Sequence, residues 1–135
     1  MKQLIKLSLF VVLGIGLWAF SRADQLFDLA KNLDIYASVI KELKQLNCNL
    51  IICLSHLGYQ YADQSKPSDM LLAKSIPGID LILGGHTHTF MEAPTKVTNT
   101  AGQDVWIHQV GWAGVRLGAI EVDTHRFNFQ QKAIQ

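Results

Sequence analysis

The amino-acid sequence predicts an α/β fold, a β-α-β unit followed by antiparallel strands, and three observations carry that expectation. Two short apolar runs, residues 50–54 and 79–83, each stop abruptly at a loop that contains histidine and glycine. Between them lies a stretch with helix start and stop signals. Downstream, residues 105–110 and 117–122 alternate apolar and polar side chains in the manner of half-buried strands.

The 135 residues are 49% hydrophobic and 17% charged, with a formal charge of +1. Such a balance describes one ordinary globular domain or part of a larger one. No basic run marks any face, so the electrostatic footprint of a nucleic-acid binder is missing, and a small-molecule site is the class to look for. Cys48 and Cys53 lie too close in sequence to staple a fold, and Cys53 sits within an apolar run where cysteine acts as a small hydrophobe.

Taken in order, the first segment, 1–23, supports two readings. Lys2 and Lys6, the apolar stretch 7–20 and Ser21-Arg22-Ala23 have the three regions of a secretory signal peptide, which would send the chain to the periplasm or outside the cell. The same segment also reads as a buried strand, 9–13, ending in a glycine turn. Gly14 and Gly16 and its short length argue against a stable membrane span. The main body, 24–125, opens with Leu26, Leu29, Ala30, Leu33, Ala37, Ile40, Leu43 and Leu46 at helical spacing, opposite Lys41, Glu42, Lys44 and Gln45. This predicts one or two amphipathic helices.

Leu50-Ile51-Ile52-Cys53-Leu54 is then a strand apolar on both faces, as in a covered sheet. Residues 65–68 supply start signals for a helix from about Asp69 to Lys74, which Pro77-Gly78 ends, and residues 79–83 form the next strand. A turn is expected near 99–102, antiparallel strands then close the sheet, and 126–135 is a polar tail.

Parallel crossovers place the carboxyl ends of consecutive strands side by side, so His56, His86 and His88 are expected to converge at one edge. In extended backbone His86 and His88 would share a face yet lie well apart along it, which suits two neighbouring ions at least as well as one. Gly84 and Gly85 leave room for ions and a phosphate. Imidazole favours zinc, manganese, iron and similar ions over calcium. A lone H-x-H is most simply a polar surface turn, but a second strand-end histidine in the same β-α-β unit weakens that explanation.

The stretches NLIICLSHLGY, IPGIDLILGGHTHTF and, more loosely, IHQVGWAGVRLGAIEVD resemble the calcineurin-like metallophosphoesterases, within them the 5'-nucleotidase and nucleotide-sugar hydrolase group. The resemblance spans roughly residues 33–123. It implies a partial metallophosphoesterase domain, the C-terminal part of an αββα sandwich, that acts on nucleotides or other phosphate esters. It further implies a site of two divalent transition metal ions such as Zn, Mn or Fe, with His56 and His86 on one ion and His88 on the other. Gly111, Gly114 and Gly118 match glycines of the family's next strand pair. Segment 9–17, containing Leu13-Gly14-Ile15-Gly16-Leu17, is similar to a family strand lying just upstream, which favours the strand reading of the N-terminus.

A complete member of that family begins with a D-x-H strand end, a metal-bridging aspartate and an N-H-D or N-H-E loop. None of these precedes His56, and the single D-x-H, Asp123-Thr124-His125, comes after the other motifs and reads as a chance match. The expectation is an incomplete site, inactive alone, that needs another polypeptide for its first half. The alternative is a non-catalytic secreted module that keeps the fold to bind metal or a partner. The H-x-H of amidohydrolases and of metallo-β-lactamases fits less well, because the former sits on a first barrel strand and the latter continues into an aspartate-histidine where this chain has Phe90-Met91.

Trp18, Trp106 and Trp112 are expected to pack. Asp63 and Asp69 are expected to cap and solvate, His108 to be a hydrogen-bonded structural residue, and Lys66 and Arg116 to lie on the surface.

Overall fold

A computed structural model describes residues 7–12, 29–123 and 126–133, with side chains placed from 34 to 121. Its elements are β1 (Leu7–Val12), α1 (Leu29–Gln45), β2 (Leu50–Ser55), α2 (Asp69–Ser75), β3 (Leu81–Leu83), β4 (Thr95–Thr98), β5 (Asp104–His108), β6 (Arg116–Asp123) and β7 (Arg126–Ala133). Five strands form one sheet in the order β1-β2-β3-β5-β4, and β6 pairs with β7 in a second. The α/β class and the β-α-β unit expected from the sequence are both present.

α1 buries Ile40 and packs Tyr36 and Leu43 against the core, while Lys41, Glu42, Lys44 and Gln45 face solvent. It ends in a Schellman turn: Asn47 takes a left-handed φ of 58°, its N–H donates to Lys44 O at 2.9 Å, and Cys48 N–H donates to Leu43 O at 3.1 Å. Asparagine tolerates that conformation and satisfies the carbonyls the helix leaves open. α2 begins at Ser68, whose hydroxyl accepts from Leu71 N–H at 3.2 Å, and Pro77 and Gly78 follow its end.

Register explains the core. Cys53 pairs with Ile82 and Ile82 with Ile107, so three adjacent strands present one apolar stripe, and Leu72 and Ala73 of α2 with Ile40 of α1 belong to the same buried cluster. Burying each of the isoleucines contributes about 1.5–3 kcal/mol. The β4–β5 hairpin turns where expected, with Asn99 Oδ1 accepting from Ala101 N–H and Gln103 N–H and Gly102 at φ 74°.

The downstream strands differ from expectation. β5 runs parallel to β3, and its antiparallel neighbour is β4. β6 does not close this sheet but pairs antiparallel with β7, along Arg116↔Ala133 to Asp123↔Arg126. Alternation along a strand tells which positions share a face but says nothing about which neighbour it joins. The segment expected to be a polar tail thus contains β7. Leu7–Val12 pairs parallel to β2, from Leu7↔Leu50 to Val12↔Ser55. The signal-peptide features at 1–6 and 13–23, Trp18 among them, lie outside the described residues, as do Thr124 and His125 of the D-x-H. Among the described residues no helix is long and apolar enough to cross a membrane.

Candidate metal-binding edge

Three parallel strands end at one edge. Leu54 pairs with Leu83, and Leu83 with His108, so the residues that follow each strand are neighbours: Ser55 and His56 after Leu54, Gly84 and Gly85 after Leu83, and Gln109 after His108. Gly84 N–H donates to His108 O at 2.9 Å and extends the last pairing by one step.

His56 and His86 meet here, their ring centroids 5.2 Å apart and their planes at 72°. His88 turns elsewhere and stacks on Trp112, with centroids 5.8 Å apart and planes at 14°. Two of the three imidazoles expected to converge are therefore in contact. Among the described residues, no three or more His, Cys, Asp and Glu side chains come together as a metal-ligand group. All three histidines are exposed at the rim.

The extended backbone expected at the H-x-H is not what forms. His86 has φ 72° and His88 φ 53°, both left-handed. For residues with a Cβ this costs about 1–2 kcal/mol each, and such strain persists only where the surroundings impose it. Those surroundings are a buried polar network directly beneath the loop.

Asp69, fully buried at the first turn of α2, accepts from the Ser55 hydroxyl through Oδ1 and from Gln109 Nε2 through Oδ2 at 3.0 Å. Gln109 Nε2 also donates to Gly85 O at 3.1 Å. Its Oε1 accepts from the Thr87 hydroxyl and from Thr89 N–H, each at 3.3 Å. Thr87 Oγ1 in turn accepts from Tyr59 N–H at 2.9 Å and ties the loop after β2 to the loop after β3. Burial pushes the Asp69 carboxyl above the ordinary aspartate range, against the hydrogen bonds from Ser55 and Gln109 and the nearby His56, which pull it down.

Asp69 is thus neither a solvated loop residue nor a simple cap, because both carboxylate oxygens are engaged in the interior. Gln109 was not singled out by the sequence. The signal available for it was its place one residue past the third parallel strand, between His108 and a glycine turn. His108 is buried in β5 as expected of a structural residue, and burial lowers its pKa. Lys66 lies over the Tyr61 ring at 3.8 Å, and Arg116 pairs with Glu92 at 2.7 Å and covers Phe90. Trp106 is half-buried in β5, while Trp112 is 58% exposed and covers His88 instead of entering the core. Asp63 is held by the amide and hydroxyl of Ser65, an exposed turn as expected.

No protein-family model matches the chain. Rat 5'-nucleotidase is 33% identical over 97 residues, which cover 62% of this chain and 16% of that protein. The Bacillus subtilis trifunctional nucleotide phosphoesterase protein YfkN is 38% identical over 74 residues, 55% of this chain and 4% of that one. Among solved structures, the 5'-nucleotidase precursor of Thermus thermophilus superposes with a TM-score of 0.61 at 26% identity, over 76% of this chain and 22% of that chain. The Haemophilus influenzae NAD nucleotidase shares the fold, with a TM-score of 0.56 at 18% identity, over 73% of this chain and 19% of that one. The chain spans about a sixth of the length of the rat relative it matches. In sequence and in fold, then, it corresponds to the C-terminal part of a 5'-nucleotidase-like metallophosphoesterase.

Proposed function

We propose that this chain supplies the histidine-bearing edge of a two-metal site that hydrolyses phosphate esters of nucleotides. His56 and His86 would hold one ion, and His88 would contribute to the other. The observation that supports the reading best is the contact between His56 and His86 after adjacent parallel strands, with His86 held at a left-handed φ of 72°. The nucleotide part rests on the names of the relatives, which act through chains several times longer.

Two imidazoles fit part of a ligand shell. A zinc ion takes three or four ligands, so the remaining ones must come from residues beyond this edge. When bound, such a metal pair supplies a Lewis acid for the phosphoryl oxygens and an activated water. The chain's own contribution is to orient imidazole nitrogens on a rigid rim. Gly85 keeps a side chain away from His56, since a Cβ there would lie 3.1 Å from its Nδ1.

Zinc(II) binding to the chain, and phosphate release from nucleoside monophosphates, test this reading. The chain alone should bind zinc weakly and turn over little. Mixed with a polypeptide that carries the first half of a 5'-nucleotidase-like catalytic domain, it should hydrolyse the monophosphate, and His88→Ala should abolish that activity. Zinc affinity unaltered in both His56→Ala and His86→Ala would refute the assignment. Absence of turnover with every metal and complement would leave a binding module that retains the fold.

A further inference from the structure

We infer that Asp69 and Gln109 are positioning residues for the histidine loop: the Asp69 carboxylate sets which way the Gln109 amide points, and that amide holds the backbone on both sides of His86 and His88. For its consequence in metal binding the inference rests on the proposed role of the histidines. The orientation relay itself does not.

The side chains are 0% and 2% exposed, so their hydrogen bonds have no competition from water. Two donors, the Ser55 hydroxyl and Gln109 Nε2, already point at the two oxygens of Asp69. A carboxylate only accepts, so the NH2 end of Gln109 must face it. The second amide hydrogen then reaches Gly85 O, directly before His86. With the amide so turned, Oε1 is presented to the opposite side, where it accepts from Thr89 N–H, directly after His88, and from the Thr87 hydroxyl between the two histidines.

One amide therefore brackets the segment 86–88 at both ends. It is a segment in which two residues with Cβ atoms are held at φ 72° and 53°. Gly84 is part of the device, since a Cβ there would fall on Asp69 Oδ2 and within 2.6 Å of Gln109 Nε2. Asp69 acts on the histidine segment through Gln109, its partner on the side of the loop.

Hydrogen exchange of the Thr89 amide, read by NMR on the full chain with metal chelated, tests the relay. In Asp69→Asn the Asn oxygen stays toward Ser55, whose Oγ already accepts from Leu57 N–H and gives its own hydrogen to position 69, so the new NH2 faces Gln109 Nε2, donor against donor. The conflict is relieved only if Gln109 turns over, which then aims its own NH2 at Thr89 N–H. Thr89 exchange should accelerate by about tenfold, the scale of one lost buried hydrogen bond.

Adding Gln109→Glu restores the Thr89 end, because the amide introduced at position 69 now donates to one carboxylate oxygen and Thr87 and Thr89 donate to the other, while Gly85 O gives up its donor. Thr89 protection should return to within about threefold of the parent. A role in packing alone would not be rescued by exchanging amide and carboxylate between the two positions. Thr89 exchange unchanged in Asp69→Asn, or no recovery in the double variant, would overturn the inference. Should Asp69→Asn unfold the chain, the double variant must regain a folded spectrum, and failure to do so counts against the relay. All these readouts are metal-free, so they stand or fall separately from zinc binding by His56 and His86. If the proposed metal reading holds, zinc affinity should fall in Asp69→Asn and recover with Thr89 protection in the double variant.

Discussion

Gly84→Ala puts the largest calculable strain on this edge. A Cβ at residue 84 would overlap Asp69 Oδ2 and come within 2.6 Å of Gln109 Nε2 and 3.0 Å of its Cγ. Neither neighbour is the free end of a surface side chain. Both are buried, and each is fixed by at least two hydrogen bonds. Overpacking of that kind costs about 1–3 kcal/mol. If the Asp69–Gln109 bond breaks to make room, a buried polar group left without a partner adds about 1–3 kcal/mol.

Taking the middle of the range gives about 4 kcal/mol, a large part of the roughly 5–15 kcal/mol that folds a domain. Gly102→Ala is the control. Nothing lies within 4 Å of its Cβ, and only its φ of 74° is unfavourable, which costs about 1–2 kcal/mol. Both substitutions stiffen the unfolded chain equally, so that contribution cancels. The difference of about 2.5 kcal/mol corresponds to roughly 1 M in urea midpoint at a slope near 2 kcal/mol per molar. Equilibrium urea unfolding followed by circular dichroism measures it. Midpoints within about 0.3 M of each other would show that the cradle around Gly84 is not tightly filled.

Two further outcomes follow from the same geometry. In Gly85→Ala the new Cβ would lie 3.1 Å from His56 Nδ1 and 3.6 Å from Cε1, close enough to displace an exposed ring without disturbing the core. Stability should change by less than about 1 kcal/mol while zinc affinity drops by about tenfold, and equal affinity in a calorimetric titration would contradict the placement of His56. Asp80 accepts from Ile51 N–H at 2.7 Å, yet burial raises its pKa above the ordinary aspartate value of 3.8, against that hydrogen bond and Lys44. A raised carboxylate favours folding while protonated, and its contribution is lost as pH climbs from 3.8 through the folded value. Relative to the parent, Asp80→Asn should therefore gain in urea midpoint as pH rises across that window, and a difference independent of pH would refute the burial account.

The strand-end histidines, the glycines before them and the β-α-β order were legible in the sequence because each is a local pattern. An apolar run of strand length, a helix cap such as Ser68 and an abrupt polar stop need no knowledge of distant residues. The same holds for the resemblance to the phosphoesterases, which lives in short contiguous stretches around His56, His86 and His88. Sheet partners were not legible. Residues 105–110 and 117–122 both alternate, yet β5 pairs parallel with β3 and β6 joins β7.

What only the tertiary structure decided is the support of the site. Asp69 and Gln109 are 40 positions apart, and read singly each is an unremarkable polar residue next to an apolar stretch. They meet because β2, β3 and β5 are in parallel register and Asp69, at the start of α2, reaches their ends, which brings Ser55, Asp69, Gly84 and Gln109 together. The sequence by itself singled out the three imidazoles as candidate metal ligands. The fold decided that His56 faces His86, that His88 stacks on Trp112, and that His86 and His88 are left-handed, because hydrogen-bond partners in the interior are assigned by proximity in space and not by spacing along the chain.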